Sequence, residues 1–205
     1  MRSDQKVAGW YHGRFQIVDT IKFFNRKLIL AKKPDGSRVF LQEIEMNHFV
    51  PPGIREVLRN FHHPHVVPIH DVIEENRRIT LVHPPLIGEP LSMIVDPEHP
   101  MPPQQALCIF RKLLRTMVDL YKLPLPMTTT LDPRNVIMNE GHPYVLFLNF
   151  KKLSPPRFHE KWRELLYFLL TGREAEGDVR QVTKNQNLNI PPELKQLIAA
   201  AFDPG

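Results

Sequence analysis

The sequence predicts an α+β fold in which a small β-rich part with antiparallel strands precedes a mainly helical part. Short runs of β-branched and aromatic residues, separated by turn residues, occupy residues of about 10–86. Apolar residues at helical spacing take over within residues of about 87–205. A chain of 205 residues, 42% of them hydrophobic, can bury a substantial core. We therefore expect a single domain over residues 1–205 that contains these two parts.

The first part begins with an antiparallel meander, because three β-rich runs within residues 14–44 alternate with turn residues such as those at 34–37, and two more β-rich runs follow later. We expect strands at 15–18, 28–31, 39–41, 66–69 and 79–82. Between the third and fourth runs, apolar residues at helical spacing predict a helix that begins after Pro52 and ends before Pro64.

The second part is predicted to be helical with one hairpin. A long helix is indicated by an apolar stripe at positions 106, 109, 110, 113, 114, 117 and 120. The runs 136–138 and 144–148 flank a turn and predict the hairpin. A further helix contains Trp162 and ends at Gly172, and the last helix begins after Pro191.

Composition restricts the compartment and the class of ligand. The single Cys108 cannot form an internal disulfide, and the polar first residues do not resemble a signal peptide. We expect a cytoplasmic location, either as a free domain or as the cytosolic part of a longer membrane-anchored protein. The net charge of +5 comes from scattered basic residues, so we do not expect nucleic-acid binding.

Five short strings occur in a defined order along the chain: GRFQIV at 13–18, HPHVV at 63–67, ITLV at 79–82, TLDPRNVI at 130–137 and LYFLLTGR at 166–173. They are similar to strings of the Hanks-type Ser/Thr protein kinase superfamily, and the chain resembles a degenerate bacterial pseudokinase. The resemblance implies a bilobal protein-kinase-like fold, with an N-lobe at about 10–86 and a shortened C-lobe at about 87–205.

The resemblance also implies that the catalytic residues are lost. Phosphoryl transfer by a kinase uses a Lys on the phosphates, an Asp as base and an Asp that holds Mg²⁺. These positions match Gln42, Thr130 and Asn149. A hydroxyl and two amides cannot supply the missing charges. We therefore expect no enzyme activity, no cofactor and no ordinary binding of Mg·ATP.

Some positions of the nucleotide site remain open to interpretation. The vestigial hinge would offer the carbonyl of Pro84 and the N–H of Leu86 to an adenine, or would serve as a stiff connector without nucleotide. Asn135 matches the second metal-binding position of the catalytic loop. The Glu of the regulatory helix matches either Ile54 or Glu56.

Two groups of basic or metal-ligating residues are candidate binding sites. Lys22 and Lys27 stand where a kinase has phosphate-binding glycines, and with Arg26 they could bind an acidic partner or form a solvated strand end. Histidines at 62, 63, 65 and 70 suggest zinc, but no Cys or carboxylate is placed to complete a tetrahedral site. We expect no metal site.

The resemblance places a shortened link at 152–159, where a kinase has its activation segment. We expect a short ordered connection there, stiffened by Pro155 and Pro156. Loss of the segment would expose an apolar surface for a protein partner or a second copy of the chain. We expect its residues to be Phe158, Trp162, Leu165 and Leu169. In the alternative interpretation, the C-lobe buries these residues internally.

Three function classes follow. The first is an inactive kinase-like domain that binds a protein as a scaffold or regulator. The second is an enzyme with residual or atypical nucleotide chemistry through Asn135 and Asn149. The third is a basic surface that binds nucleic acid or anionic lipid and would lose affinity steeply with salt. Binding to a membrane is expected only through a further segment or a partner.

Overall fold

A computed structural model of the chain describes residues 9–23, 26–154, 161–175 and 190–202. The fold is α+β, with an antiparallel curled sheet and a few helices. The chain divides into two compact units. Unit 1 comprises Met1–Leu86 and Asn149–Arg157, and unit 2 comprises Ile87–Leu148 and Phe158–Gly205.

Unit 1 is built on a six-stranded antiparallel sheet with the order β1-β2-β3-β4-β6-β5. The strands are β1 (Trp10–Tyr11), β2 (Phe15–Phe23), β3 (Arg26–Lys32), β4 (Arg38–Glu45), β5 (Asp71–Glu75) and β6 (Arg78–His83). Its core contains buried apolar side chains, among them Phe15, Val39 and Leu41. The three-strand meander predicted within residues 14–44 is confirmed as β2-β3-β4, although these strands are longer than the apolar runs.

One predicted strand of unit 1 is wrong. Residues 66–69 do not form a strand, and β5 begins only at Asp71. Val66 and Ile69 are buried all the same, which explains the apolar run. Pro68 has no N–H for a sheet ladder, so the chain stays irregular until it has passed this residue. The helix α1 (Ile54–Arg59) precedes this segment and contacts β5.

Unit 2 contains the helices α2 (Leu91–Ile94), α3 (Pro103–Tyr121), α4 (Trp162–Thr171) and α5 (Pro192–Phe202). The apolar stripe predicted for the long helix is the face that α3 turns inward, with Ala106, Leu113 and Leu120 fully buried. Helix α4 contacts both α3 and α5. Its C-terminal Gly172 has a φ of 67° and a Cβ there would collide with the carbonyl of Asp96, so glycine is required for this helix end.

The strands of the second part of the chain are short. They are β7 (Glu89–Pro90), β8 (Met127–Thr129), β9 (Val136–Asn139), β10 (His142–Val145) and β11 (Leu148–Phe150). Strands β9 and β10 form the predicted hairpin. Glu140 and Gly141 both have positive φ, at 47° and 78°, as a two-residue type I′ turn requires. Among the residues that the structure describes, no helix is long and apolar enough to cross a membrane.

Candidate functional site

Gln42 lies near the middle of β4, opposite Leu28 on one side and Leu81 on the other. Its side chain is completely buried. A Lys in such a place would need a compensating anion, because burying an unpaired charge is far more costly than burying an amide. The site therefore suits a neutral polar group, as the sequence has it.

Asn149 belongs to β11 and is also buried. After Phe150 the chain turns at residues 151–154, and this turn is fastened to the end of β4. The N–H of Asn47 donates to the carbonyl of Leu153 at 2.6 Å, and the Ser154 hydroxyl lies 3.6 Å from the Met46 sulfur. The short link expected at 152–159 is thus ordered up to Ser154, and its remainder, with Pro155 and Pro156, lies outside the described residues.

Thr130 and Asn135 belong to the loop between β8 and β9, in unit 2, and both are buried. The Asn135 amide donates to the hydroxyl of Thr129 at 3.1 Å and to the carbonyl of Thr130 at 2.7 Å. Its oxygen accepts the N–H of Phe147 at 2.8 Å. The three hydrogen bonds of the Asn135 amide therefore hold this loop closed. To bind a cation, the Asn135 oxygen would have to release the N–H of Phe147 or use its second lone pair beside that hydrogen bond.

Asp132 is the carboxylate of the same loop, and it is neutralised by two cations. Arg134 donates to both of its oxygens at 2.9 Å, and the Lys161 ammonium lies 3.1 Å from Oδ2. Burial raises the pKa of Asp132, but the hydrogen bonds from Arg134 and Lys161 outweigh this effect and leave the pKa below its ordinary value. Asp132 is therefore ionised near neutral pH and occupied by its partners.

The Asp132–Lys161 pair also fixes the start of α4. Lys161 precedes the helix with a φ of 52°, a left-handed conformation that costs energy for a residue with a Cβ. The ion pair holds this residue against the loop and offsets part of that cost. Sequence reasoning missed the pair, since the two residues are far apart in the chain and only charge complementarity hinted at it.

The surface expected around α4 differs from the prediction. Leu165 and Leu169 are fully buried, because α4 is packed against α3 and α5. The expectation that these two side chains are exposed is therefore wrong, and the alternative interpretation of internal burial holds for them. Trp162 is half-buried. Phe158, the other aromatic residue expected there, lies outside the described residues.

An apolar groove lies beside Trp162 in unit 2. Its volume is about 470 Å³, and its lining comes from the C-terminal half of α3, the following residue and Trp162 itself: Leu114, Met117, Val118, Tyr121, Lys122 and Trp162. Val118 and Tyr121 are exposed by 45% and 50%. Exposed apolar side chains gathered in one groove are a common feature of protein-binding surfaces.

The hinge positions Pro84 and Leu86 follow β6 and are half-buried. The residue before them, His83, is fully buried, and its Nδ1 lies 2.9 Å from the carbonyl of Pro68. Within the described part of the chain, its Nε2 has no hydrogen-bond partner. Burial lowers the pKa of His83 to about 4, so the imidazole is neutral at physiological pH. The sequence signal for this buried histidine is its position at the end of an apolar strand.

The remaining candidates fall into place individually. Ile54 is a core residue of unit 1, whereas Glu56 is exposed to solvent on α1. Lys22 and Lys27 face each other across the β2–β3 hairpin, and both are exposed. In the described ranges, no group of three or more His, Cys, Asp or Glu residues is arranged to hold a metal ion.

A search against models of known protein families and a search of curated proteins found no match to this chain.

Proposed function

We propose that the chain is a catalytically inactive protein-kinase-like domain, a pseudokinase, that binds a protein as a scaffold or regulator. The observation that carries the proposal is the state of the β8–β9 loop. In the family that the sequence resembles, this loop provides the base that accepts the substrate proton. Here Thr130 stands at that position, and the neighbouring carboxylate, Asp132, is held by Arg134 and Lys161. A threonine hydroxyl cannot accept a proton near neutral pH.

The positions expected to hold nucleotide and metal support the same proposal. Gln42 and Asn149 are neutral and buried, and the Asn135 amide is engaged in three hydrogen bonds, to Thr129, Thr130 and Phe147. Magnesium prefers anionic oxygen ligands, and none of these three side chains supplies one. The finer description as a bilobal kinase-like fold rests on the order of the five strings, with which the α+β architecture is compatible.

The groove beside Trp162 is the surface that we assign to the protein partner. An aromatic ring, a second ring at Tyr121 and the exposed Val118 provide an apolar anchor site, and Lys122 provides a polar edge. Aromatic residues in such positions are enriched among the residues that carry binding energy.

A site-specific crosslinking experiment tests the binding function. A photoreactive phenylalanine is placed at Val118 in the groove, and as a matched control at Met93, which is 74% exposed in the same unit. We expect the photoreactive residue at Val118, but not the one at Met93, to form a covalent adduct with a partner protein. The yield of this adduct should fall when Trp162→Ala is added. Equal yields at both positions, or no product at Val118, would contradict the assignment, and a product of two copies would identify a homo-oligomer.

Phosphoryl transfer is measured on the same preparation. With labelled ATP, magnesium and generic protein substrates, we expect no incorporation into substrate or into the chain itself. Magnesium-dependent incorporation would contradict the proposal and would favour an enzyme with atypical nucleotide chemistry.

The distribution of charge favours a second candidate, an anionic ligand. Unit 1 has 16 Lys and Arg residues against 9 Asp and Glu residues, whereas unit 2 has 11 against 13. The positive excess of the chain therefore belongs to unit 1. If the basic residues of unit 1 bound nucleic acid or an anionic membrane as the main function, the binding affinity would fall steeply as the salt concentration rises.

A further inference from the structure

Three arginine side chains of unit 1 converge on one carboxylate. Nη2 of Arg14 and Nη2 of Arg55 each lie 3.2 Å from an oxygen of Asp71, and Nε of Arg59 lies 3.9 Å from it. The N–H of Val72 donates to the same carboxylate at 2.9 Å. Arg14 comes from the turn between β1 and β2, Arg55 and Arg59 from α1, and Asp71 from the start of β5. The cluster is therefore assembled by three separate elements.

The cluster carries an excess of positive charge. Partial burial raises the pKa of Asp71, but the N–H of Val72 and the guanidinium groups of Arg55 and Arg14 together lower it by more, so the pKa lies below its ordinary value and the carboxylate is ionised near neutral pH. One negative charge then faces three positive charges. In the part of the chain that the structure describes, Asp71 is the ion-pair partner of all three arginines.

The arginines also have donors to spare. Their side chains are 47–55% exposed, and each guanidinium has five N–H donors in a fixed fork. Asp71 can accept only a few of these hydrogen bonds, and it keeps the three forks close together despite their mutual repulsion. A compact anion with several oxygens would neutralise the excess charge and use the unoccupied donors.

We propose that Arg14, Arg55 and Arg59 form a binding site for a phosphate monoester dianion, carried by a phosphorylated side chain of a protein. Phosphoserine and its relatives have a charge of about −1.5 to −2 at pH 7 and three acceptor oxygens, which matches an excess of two positive charges. The three arginines belong to unit 1, and they would bind phosphate whether or not the chain is an inactive relative of kinases.

A phosphorylated protein fits this cluster better than a membrane does. Arg55 and Arg59 are one helical turn apart and share a face of α1, whereas the exposed Val57 lies two residues from each and on another face. The apolar neighbour of the arginines on α1, Leu58, is buried in the core, so the arginine face presents no exposed apolar side chain to enter a bilayer, as an interfacial helix requires. A single centre around Asp71 suits one phosphate group rather than an extended row of charges.

The test uses O-phospho-L-serine as the probe and the guanidinium N–H signals of the full chain in NMR spectra as the readout. We expect saturable shifts of Arg14, Arg55 and Arg59 with phosphoserine and none with serine. In the double variant Arg55→Gln/Arg59→Gln, the affinity should fall about tenfold or more, since two charge-assisted contacts are lost. The matched control Arg38→Gln removes an exposed arginine of β4 and should leave the affinity unchanged.

Several outcomes would overturn the proposal. Absence of saturable shifts in the native chain would do so, as would equal affinity of the double variant or equal losses in the double variant and in Arg38→Gln. Vesicles of phosphatidylcholine with phosphatidic acid form a separate arm, and binding to them without a response to phosphoserine would assign the cluster to lipid headgroups. Thermal denaturation of each variant checks folding, which these exposed positions should preserve.

Discussion

Buried polar groups are hydrogen-bonded to different extents in the two units. In unit 2, the amide of Asn135 reaches three partners, and Asp132 is held by two cations. In unit 1, the buried His83 uses one ring nitrogen, and no described residue meets the other. The contrast shows in which unit the buried polar residues stabilise the fold. The loop of unit 2 depends on its network, whereas unit 1 tolerates an unpaired acceptor that restricts the pH range of its stability.

The largest expected effect follows from removing the centre of the unit 2 network. Asn135→Ala removes the hydrogen bonds that this amide makes with the N–H of Phe147 and the carbonyl of Thr130, and loss of a hydrogen bond to a buried donor or acceptor costs about 1–3 kcal/mol. We expect the free energy of unfolding to fall by about 4 kcal/mol in urea denaturation. As a control, Asn139→Ala at the half-buried end of β9 should cost less than about 1 kcal/mol. Equal losses would show that the loop does not depend on Asn135.

The second effect concerns the pH dependence that His83 imposes on unit 1. The unfolded chain protonates this imidazole near its ordinary pKa of 6.5, whereas the folded chain does so near about 4. As the pH falls through this window, the unfolded state binds the proton first, so the free energy of unfolding decreases. The loss should approach about 3 kcal/mol at pH 4.

Substitution separates His83 from the other histidines. His83→Gln should flatten the decrease between pH 6.5 and 4, while His142→Gln, at an exposed position of β10, should leave it unchanged. Unfolding by urea at a series of pH values provides the measurement. An unchanged slope in His83→Gln would mean that this imidazole is hydrated or paired in the folded chain.

A smaller effect is expected from Asp132→Asn. The substitution removes the ion pairs with Arg134 and Lys161, but both cations are partly exposed and can be hydrated, so we expect a loss of about 2 kcal/mol at pH 7. Because the folded pKa of Asp132 is lowered, its contribution is present above the ordinary value of 3.8 and disappears as the pH falls further. Asp96→Asn, at an exposed turn, is the control and should change stability little. A loss of equal size there would contradict the role given to Asp132.

Much of the fold could be predicted from local sequence signals. The β9–β10 hairpin follows from a turn that contains Gly141, and the buried face of α3 follows from its apolar spacing. The position of β5 could not be predicted in this way. Val66 and Val67 have the composition of a strand, yet β5 begins at Asp71, because pairing with β6 determines where this strand forms.

The same distinction between local sequence signals and tertiary structure applies to the candidate sites. The neutral character of Gln42, Thr130 and Asn149 is evident from the sequence alone. The pairing of Asp132 with Lys161 and the convergence of three arginines on Asp71 depend on tertiary structure, because these residues are distant in the chain. The burial of Leu165 and Leu169 also depends on which helices cover α4, and periodicity does not reveal this.

Thermal denaturation with increasing Mg·ATP tests the absence of a nucleotide site most directly. A ligand that binds the folded chain raises the melting temperature in proportion to the logarithm of its concentration once it exceeds its Kd. Under our proposal that Gln42, Thr130 and Asn149 stand at the positions of the charged catalytic groups, we expect the melting temperature to stay constant at all ATP concentrations, with or without magnesium. A magnesium-dependent rise that grows with ATP concentration would contradict the account.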